Sequence, residues 1–133
     1  MSLSSEERNI IVGLELEKAN SMVLQTAMSI ENKMWDLTAN RLYYAAFHAV
    51  CALLIHNGIH VGTHKGAQVM FNKEFVQKGI MSVADNHLFS RLQQLREEGD
   101  YNCYIETTKE EIMPYVESTK SFIAKIAKVI ADN

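Results

Sequence analysis

The sequence predicts an all-α fold, an up-and-down bundle of four to five helices, from three observations. Apolar residues recur at helical spacing, and no stretch shows the strict alternation of a strand. Helix-capping residues stand before apolar segments, as with Ser4 and Glu7. A single Pro and six Gly in 133 residues argue against disorder and against a turn-rich β-protein. The length suits one helical domain over residues 1–133.

The first helix is predicted to begin after Ser4 and to end near Asn32. Its apolar residues are spread around the helix; they include Ile10, Ile11, Leu14 and Leu24. A helix with one neighbour needs only one apolar face, so the surplus predicts a twofold homodimer in which it covers a second chain. The alternative is that the surplus packs inside one bundle and the chain is a monomer.

The second helix is predicted from Lys33 to His56, where Asn57 and Gly58 stop it. Apolar residues cover most of its circumference, which is typical of the central helix of a bundle. The apolar run ends near Ile55 and is too short to span a bilayer comfortably, so no membrane segment is expected.

Three further helices are predicted along the rest of the chain, over residues 64–78, 83–98 and about 108–130. Thr63 caps the first of these, and Gly79 closes it. Gly99 is expected to end the second, which leaves residues 100–105 as a tyrosine-rich loop. The last begins near Thr107 or Thr108, and Pro114 lies early in it or produces a kink.

The net charge and the positions of the cysteines limit the classes of function that the sequence allows. The net charge is −3, so an extended basic surface for nucleic acid is not expected. Cys51 and Cys103 have no metal-ligand spacing, and Cys51 sits in an apolar run as a buried thiol would. With no signal peptide visible, these features predict a cytoplasmic protein. No cofactor is expected.

A polar stripe marks the otherwise apolar second helix. At about 100° per residue, Arg41, Tyr44 and His48 fall within about 60° of one another. A buried arginine needs a counter-group, which predicts that Arg41 bonds to Asp100 or to another carboxylate. The alternatives are that the stripe binds a ligand or RNA phosphate, or that it forms a dimer contact.

Two other short stretches carry polar residues that could bind a ligand. Arg96 is followed by Asp100 and Tyr101; because Gly99 intervenes, Asp100 is expected to reach Arg41 rather than Arg96. His64 and Lys65 follow the Thr63 cap, where free N–H groups could form a small anion site. The alternative for His64 and Lys65 is an ordinary solvated helix start.

Three motifs in this order resemble a known family. They are Arg-x-Tyr-Tyr-Ala-x-Phe-His at residues 41–48, Thr-His-Lys-Gly at residues 63–66, and Arg-x-x-x-Asp-Tyr at residues 96–101. Together they resemble the stand-alone bacterial branch of the HEPN superfamily, small helical domains named for nucleotide binding in prokaryotes and higher eukaryotes. The resemblance extends from about Ile10 to Ile130.

The resemblance implies a homodimeric bundle, often encoded beside a minimal nucleotidyltransferase and paired with it as toxin and antitoxin. Several branches are metal-independent ribonucleases that use an Arg followed four to six residues later by His, near the late helix. Here Tyr101 stands where that His would follow Arg96, and no His follows Arg96 at all. A tyrosine is a poor general acid or base near neutral pH, so little RNA cleavage is expected.

Three functions therefore remain as hypotheses. The leading one is a binding module for nucleotide or RNA that partners a nucleotidyltransferase. The second is a ribonuclease toxin that uses Arg41 and His48, which have the required spacing but lie on the second helix. The third is a structural helical partner without a nucleic-acid role. A zinc site at His56, His60 and His64 is not expected, because Asn57, Gly58 and Gly62 break any helix that would align them.

Overall fold

The computed structural model describes residues 3–133, which are helical with short connections and contain no strand. The α-helices are α1 (Ser5–Glu31), α2 (Trp35–His56), α3 (His64–Phe71), α4 (Val83–Tyr101), α5 (Lys109–Ile112) and α6 (Pro114–Ala131). A π-helical turn, Asn72–Val76, continues α3. The prediction of an all-α bundle is confirmed, with four long helices, a shorter fifth built from α3 and its π turn, and the single turn of α5.

Local sequence explains both ends of α1. The Ser4 hydroxyl accepts the Glu7 amide at 3.1 Å, and the Glu7 carboxylate accepts the Ser4 amide at 3.0 Å. At the other end Asn32 is the C-cap, and Lys33 adopts a left-handed conformation with φ of 56°. This turn reverses the chain, so α2 begins at Trp35 and not at Lys33 as predicted.

Helix α2 is the central helix, as its apolar circumference predicted. It contacts every other α-helix, and Leu53 and Leu54 are fully buried. Gly58 follows its C-cap with φ of 74°, the left-handed conformation expected there. The largest fully buried side chains of the core are Tyr43, Phe71, Phe89, Phe122, Leu42, Leu53, Leu54, Met81, Leu92, Leu95, Ile112 and Ile126.

The third predicted helix differs from its prediction in its second half. The Thr63 hydroxyl accepts the Gly66 amide at 2.9 Å, which confirms the cap. The α-helix ends at Phe71, however, and the chain continues as the π turn before Gly79, whose φ is 78°. Phe71 and Phe75 are buried, whereas Val69 is 54% exposed.

Helix α4 does not end at Gly99, contrary to the prediction; it continues through Tyr101. A Cβ at position 99 would lie 3.1 Å from Asp36 Oδ1 and 3.2 Å from Thr107 Oγ1. Gly99 therefore provides space for a close approach to the start of α2, and it does not break the helix. As a consequence, Asp100 and Tyr101 lie on the last turn of α4 and not in a loop.

The last predicted helix is divided at Met113. The Thr108 side chain caps α5, with Glu111 completing the capping box, so Thr108 and not Thr107 is the N-cap. Pro114 then occupies the first turn of α6, where a missing N–H costs no helical hydrogen bond. Within residues 3–133, no helix combines the length and apolar character needed to cross a membrane.

Candidate functional site

The most unusual side chain in the bundle is Arg96, a charged residue of α4 that is only 8% exposed. Its guanidinium carbon lies 5.1 Å from the Tyr43 ring centroid, 5.6 Å from that of Tyr44 and 5.4 Å from that of Tyr101. Three aromatic faces at these distances stabilise a cation through their quadrupoles. Arg96 is thus enclosed by tyrosines, two from the central helix and one from its own.

Polar contacts of Arg96 complete this arrangement. Its Nη1 donates to the Tyr101 hydroxyl at 3.2 Å and to the Tyr44 hydroxyl at 3.5 Å. Asp100 Oδ2 lies 3.9 Å from the same nitrogen and accepts the Asn40 side-chain amide at 2.9 Å. Arg96 Nε is buried, and no acceptor reaches it among residues 3–133. One donor of this arginine is therefore unpaired inside the bundle, as is Nε of Arg41.

The protonation states of the cluster follow from these contacts. Burial opposes the charge of Arg96, but the hydrogen bond to Tyr101 and the nearby Tyr43 and Tyr44 hydroxyls raise its pKa above the ordinary value. Burial also raises the pKa of Tyr43, and the positive charge of Arg96 only partly offsets it. The cluster thus holds a permanent cation beside the neutral phenol of Tyr43.

His64, the first residue of α3, joins the cluster from the other side. Its Nδ1 and the Tyr43 hydroxyl share a hydrogen bond of 2.8 Å, and its ring stacks on Phe47 with centroids 4.3 Å apart. The Tyr44 ring lies edge-on to it at 5.8 Å. Burial, followed by the positive charge of Arg96, lowers the pKa of His64 below its usual value. We refer to Tyr43, Tyr44, His64, Arg96, Asp100 and Tyr101 as the Arg96 cluster.

The predicted stripe on α2 is divided between two neighbours. Tyr44 faces the Arg96 cluster, whereas Arg41 and His48 face α1. Arg41 Nη1 donates to Gln25 Oε1 at 3.1 Å and lies 3.3 Å from Met22 Sδ. The predicted bond between Arg41 and Asp100 is wrong, because continuation of α4 through Gly99 places Asp100 one turn from Arg96.

His48 has a carboxylate partner of its own. Its Nδ1 donates to Glu15 Oε2 at 2.8 Å. Cys51, one turn along α2, is half-buried, and burial together with the charge of Glu15 raises its thiol pKa to about 12. This side of α2 is a structural contact with α1. Lys65, the remaining predicted site residue, is exposed on the first turn of α3, next to His64.

Sequence reasoning missed two residues at the cluster and one beyond the end of α4. Tyr43 was not singled out; it is fully buried, its ring faces Arg96, and its hydroxyl shares a hydrogen bond with His64. Asn40 was not singled out, although it orients Asp100. Tyr104 was treated only as part of a tyrosine-rich loop; it is 94% exposed just beyond α4.

A groove of about 770 Å³ between α4 and α6 is a second concave surface, and it contains none of the predicted site residues. Its two main cations already have carboxylate neighbours: Lys125 binds Asp85 at 2.5 Å, and Arg91 lies 3.9 Å from Glu111. The groove is therefore a weaker candidate for binding an anion than the Arg96 cluster. In residues 3–133, no three His, Cys, Asp or Glu side chains converge as metal ligands.

The fold and the cluster together define a small helical domain in which an arginine of α4 is enclosed by two tyrosines of the central helix and one of α4 itself. The HEPN domain family model matches residues 14–129, and the chain belongs to the HEPN domain family. It is 28% identical to a "UPF0332 protein" of Thermotoga maritima over 126 residues, which cover 95% of this chain and 96% of the relative.

A second relative comes from Methanocaldococcus jannaschii and is named "Putative toxin MJ0142". It is 28% identical over 115 residues, which cover 86% of this chain and 78% of the relative. These alignments span nearly the whole bundle. The resemblance to HEPN proteins predicted from the three motifs is thus confirmed.

Proposed function

We propose that this chain is a HEPN-type binding module that acts in a toxin–antitoxin pair with a nucleotidyltransferase, and that it binds a nucleotide or a short unpaired RNA at the Arg96 cluster. The single observation that carries the ligand proposal is the state of Arg96. A cation only 8% exposed is held in place by three tyrosines, and its Nε lacks an acceptor among residues 3–133. A phosphate or a base carbonyl that binds beside the Tyr101 ring would be attracted by the permanent positive charge of Arg96.

Exposed aromatic rings at the end of α4 and just beyond it favour a nucleobase as part of the ligand. Tyr101 is 75% exposed and Tyr104 is 94% exposed, so both could stack on an unpaired base. His64, at the start of α3, shares a hydrogen bond with the Tyr43 hydroxyl, and the neighbouring Lys65 adds an exposed ammonium group.

The surrounding charge favours a small ligand over a long one. Glu97, Glu98 and Asp100 flank Arg96 on α4, and the whole chain carries a net charge of −3. A long duplex would bring many phosphates against these carboxylates, whereas a nucleotide or a short single strand brings few. We therefore propose recognition of one or a few nucleotides.

Support for the toxin–antitoxin setting comes from two relatives of Methanocaldococcus jannaschii that have toxin in their names, at 28% and 26% identity. The nucleotidyltransferase partner and the homodimer are the further expectations that the HEPN resemblance carries. Free Cys51 and Cys103 agree with the cytoplasmic location proposed for such a pair.

The ribonuclease alternative has no support in the geometry around Arg41 and His48. Arg41 bonds to Gln25, and His48 is engaged by Glu15 at 2.8 Å, with both directed at α1. His48 lines a cavity together with Glu15, Lys18 and Ser21, and Arg41 is not among the residues of that cavity. The purely structural alternative does not account for the largely exposed Tyr101 ring that lies beside the buried Arg96 cation.

Co-purification from the native host tests the proposal as a whole. The tagged chain is isolated under mild conditions, and the bound proteins and nucleotides are identified by mass spectrometry, in parallel with an Arg96→Ala variant. We expect a nucleotidyltransferase with both proteins, and nucleotide or RNA fragments with the unaltered chain alone. Recovery of neither partner nor nucleotide would contradict the proposal.

A further inference from the structure

The groove between α4 and α6 lies apart from the Arg96 cluster, and the proposed function makes no use of it. Its two helices run antiparallel, since Lys125, late in α6, contacts Asp85 at the start of α4, whereas Arg91 lies near Glu111, which precedes α6. The groove has a volume of about 770 Å³, within the range of roughly 300–1,000 Å³ that small-molecule sites occupy. It is therefore large enough for a small organic ligand.

The surface of the groove is more apolar than polar. Phe122, which is only 2% exposed, and the half-buried Leu88 and Tyr115 provide much of the apolar part. Ser118 and Ser121 of α6 have short, exposed side chains, so the space above this surface stays open. Tyr115 and Phe122 are seven residues apart, about 10 Å along the helix. A flat apolar body of about that length would contact both rings.

The two ends of the groove differ in charge. At one end Lys125 Nζ bonds to Asp85 Oδ2 at 2.5 Å, so each charge has a direct partner. At the other end Arg91 Nη1 donates to Gln94 Oε1 at 3.0 Å, and Nη2 lies 3.9 Å from Glu111 Oε2, beyond hydrogen-bond distance. Arg91 is thus the less neutralised of these two cations.

The position of Glu111 is set by its role at the start of α5. Its Oε1 accepts both the amide and the hydroxyl of Thr108, each at 3.1 Å, as part of the capping box. A closer contact between Glu111 and Arg91 would weaken that cap. A bound molecule can supply the direct carboxylate partner that Arg91 lacks, without disturbing α5.

The other charges beside the groove favour a ligand with a single negative charge. Asp85 and Glu117 line the groove, and Glu111 lies at its end. A ligand with several phosphates would bring its charges against these carboxylates, whereas a monocarboxylate brings only one. A cationic ligand would have to compete with Lys125 for Asp85 and with Lys120 for Glu117.

From these observations we propose that the groove between α4 and α6 binds a small aromatic carboxylate. The rings of the ligand lie on Leu88, Tyr115 and Phe122, and its carboxylate accepts hydrogen bonds from the Arg91 guanidinium. Burial of the rings contributes most of the affinity, and Arg91 fixes the orientation of the ligand.

This inference does not rest on the nucleotide or RNA proposed for the Arg96 cluster. Arg91 and Arg96 are five residues apart on α4, so they are about 140° from one another around the helix. The residues that line the groove include none of the Arg96 cluster. The loss of one ligand and the loss of the other can therefore be measured separately.

Calorimetric titration of the full chain with naphthoate, a two-ring aromatic carboxylate, tests the site. Naphthoate should bind saturably, and its neutral analogue naphthalenemethanol should bind about tenfold more weakly. Arg91→Gln should weaken naphthoate binding about tenfold and leave the binding of naphthalenemethanol unchanged. Arg8→Gln, the matched control, replaces a half-buried arginine of α1 and should change neither. Absence of saturable naphthoate binding, equal binding of the two compounds, or equal weakening by the two variants would overturn the proposal.

A second pair of variants tests where the ligand lies. Ser121→Trp introduces a large ring into the groove from an exposed position of α6, so circular dichroism should show an unchanged fold. It should abolish naphthoate binding, whereas Ala27→Trp, at an exposed position of α1, should not. Octanoate, which has a carboxylate but no ring, should bind more weakly than naphthoate. Full naphthoate binding by folded Ser121→Trp would contradict this site, and equal or tighter binding of octanoate would contradict an aromatic ligand.

Discussion

The guanidinium of Arg96 lies 5.1 Å from the centroid of the Tyr43 ring, in the interior of a bundle whose other arginines are more exposed over residues 3–133. Tyr43 comes from the central helix and Arg96 from α4, so this contact links the two helices at the most polar point of the core. Arg41, which the sequence also placed in the interior, is only half-buried and bonds to Gln25. The two arginines should therefore respond very differently to replacement.

Replacement of Arg96 by Ala should lower the free energy of unfolding by about 2 kcal/mol, since it removes three cation–π contacts and opens a space between tyrosines. Arg96→Lys should recover part of this loss, because it keeps the charge but not the planar group. Arg41→Ala, the matched control, should lower the free energy of unfolding by less than about 1 kcal/mol. Urea denaturation measures all three, and equal losses at Arg41 and Arg96 would contradict the assignment.

The stability of the protein should fall as the pH drops below 6.5, the ordinary pKa of the His64 side chain. Burial and then the charge of Arg96 lower the pKa of His64 in the folded state, so the unfolded chain binds a proton more readily there. Neutral His64 therefore makes its full contribution to the free energy of unfolding above pH 6.5. This contribution is lost as the pH falls toward the lowered pKa of His64 in the folded state.

Thermal melts between pH 5 and pH 7.5 check this expectation in His64→Gln and His60→Gln. His60 is exposed and serves as the control. We expect the acid-side loss of stability to be smaller in His64→Gln and unchanged in His60→Gln. An unchanged pH profile in His64→Gln would show that His64 does not titrate differently in the folded protein.

Replacement of two helical glycines by alanine should have different effects on the free energy of unfolding. Gly13→Ala should raise the free energy of unfolding by about 0.5–1 kcal/mol, because a Cβ there meets nothing within 4 Å and alanine favours the helix. Gly99→Ala should give no gain or a loss, since its Cβ would press on Asp36 Oδ1, which accepts the Thr107 amide at 3.1 Å. Chemical denaturation compares the two, and an equal gain at both positions would refute the close approach at Gly99.

Much of the fold was predictable because helix starts are encoded locally. Ser4, Thr63 and Thr108 all cap the helices expected from them, and each cap needs only residues within one turn. The end of α4 was not predictable in the same way. Whether Gly99 ends a helix or makes room for a neighbour depends on Asp36 and Thr107, which approach it only in the folded bundle.

The error at Gly99 explains the error at the candidate site. Once Asp100 was placed in a loop, Arg41 became its expected partner, whereas in the structure Asp100 is one helical turn from Arg96. Tyr43 was missed because apolar periodicity does not distinguish a buried phenol that faces a cation from one that only fills space.

The isolated chain should show little or no metal-independent RNA cleavage. His48 is bonded to Glu15, and no histidine follows Arg96 to act as an acid or base. Total RNA is incubated with pure protein in chelator, beside His48→Ala and the control His87→Ala, which alters an exposed histidine on α4. Cleavage that disappears in His48→Ala and persists in His87→Ala would instead support the ribonuclease alternative.

Equilibrium binding of a labelled nucleotide and a short single-stranded RNA, followed by fluorescence anisotropy, tests the proposed site most directly. The unaltered chain should bind at least one of the two probes saturably. Tyr101→Ala should weaken this binding by about tenfold, as expected for the loss of one aromatic stacking partner. Tyr115→Ala, which alters the separate groove between α4 and α6, should leave it unchanged. Absence of saturable binding to both probes, or equal weakening by the two variants, would contradict a nucleotide site at the Arg96 cluster.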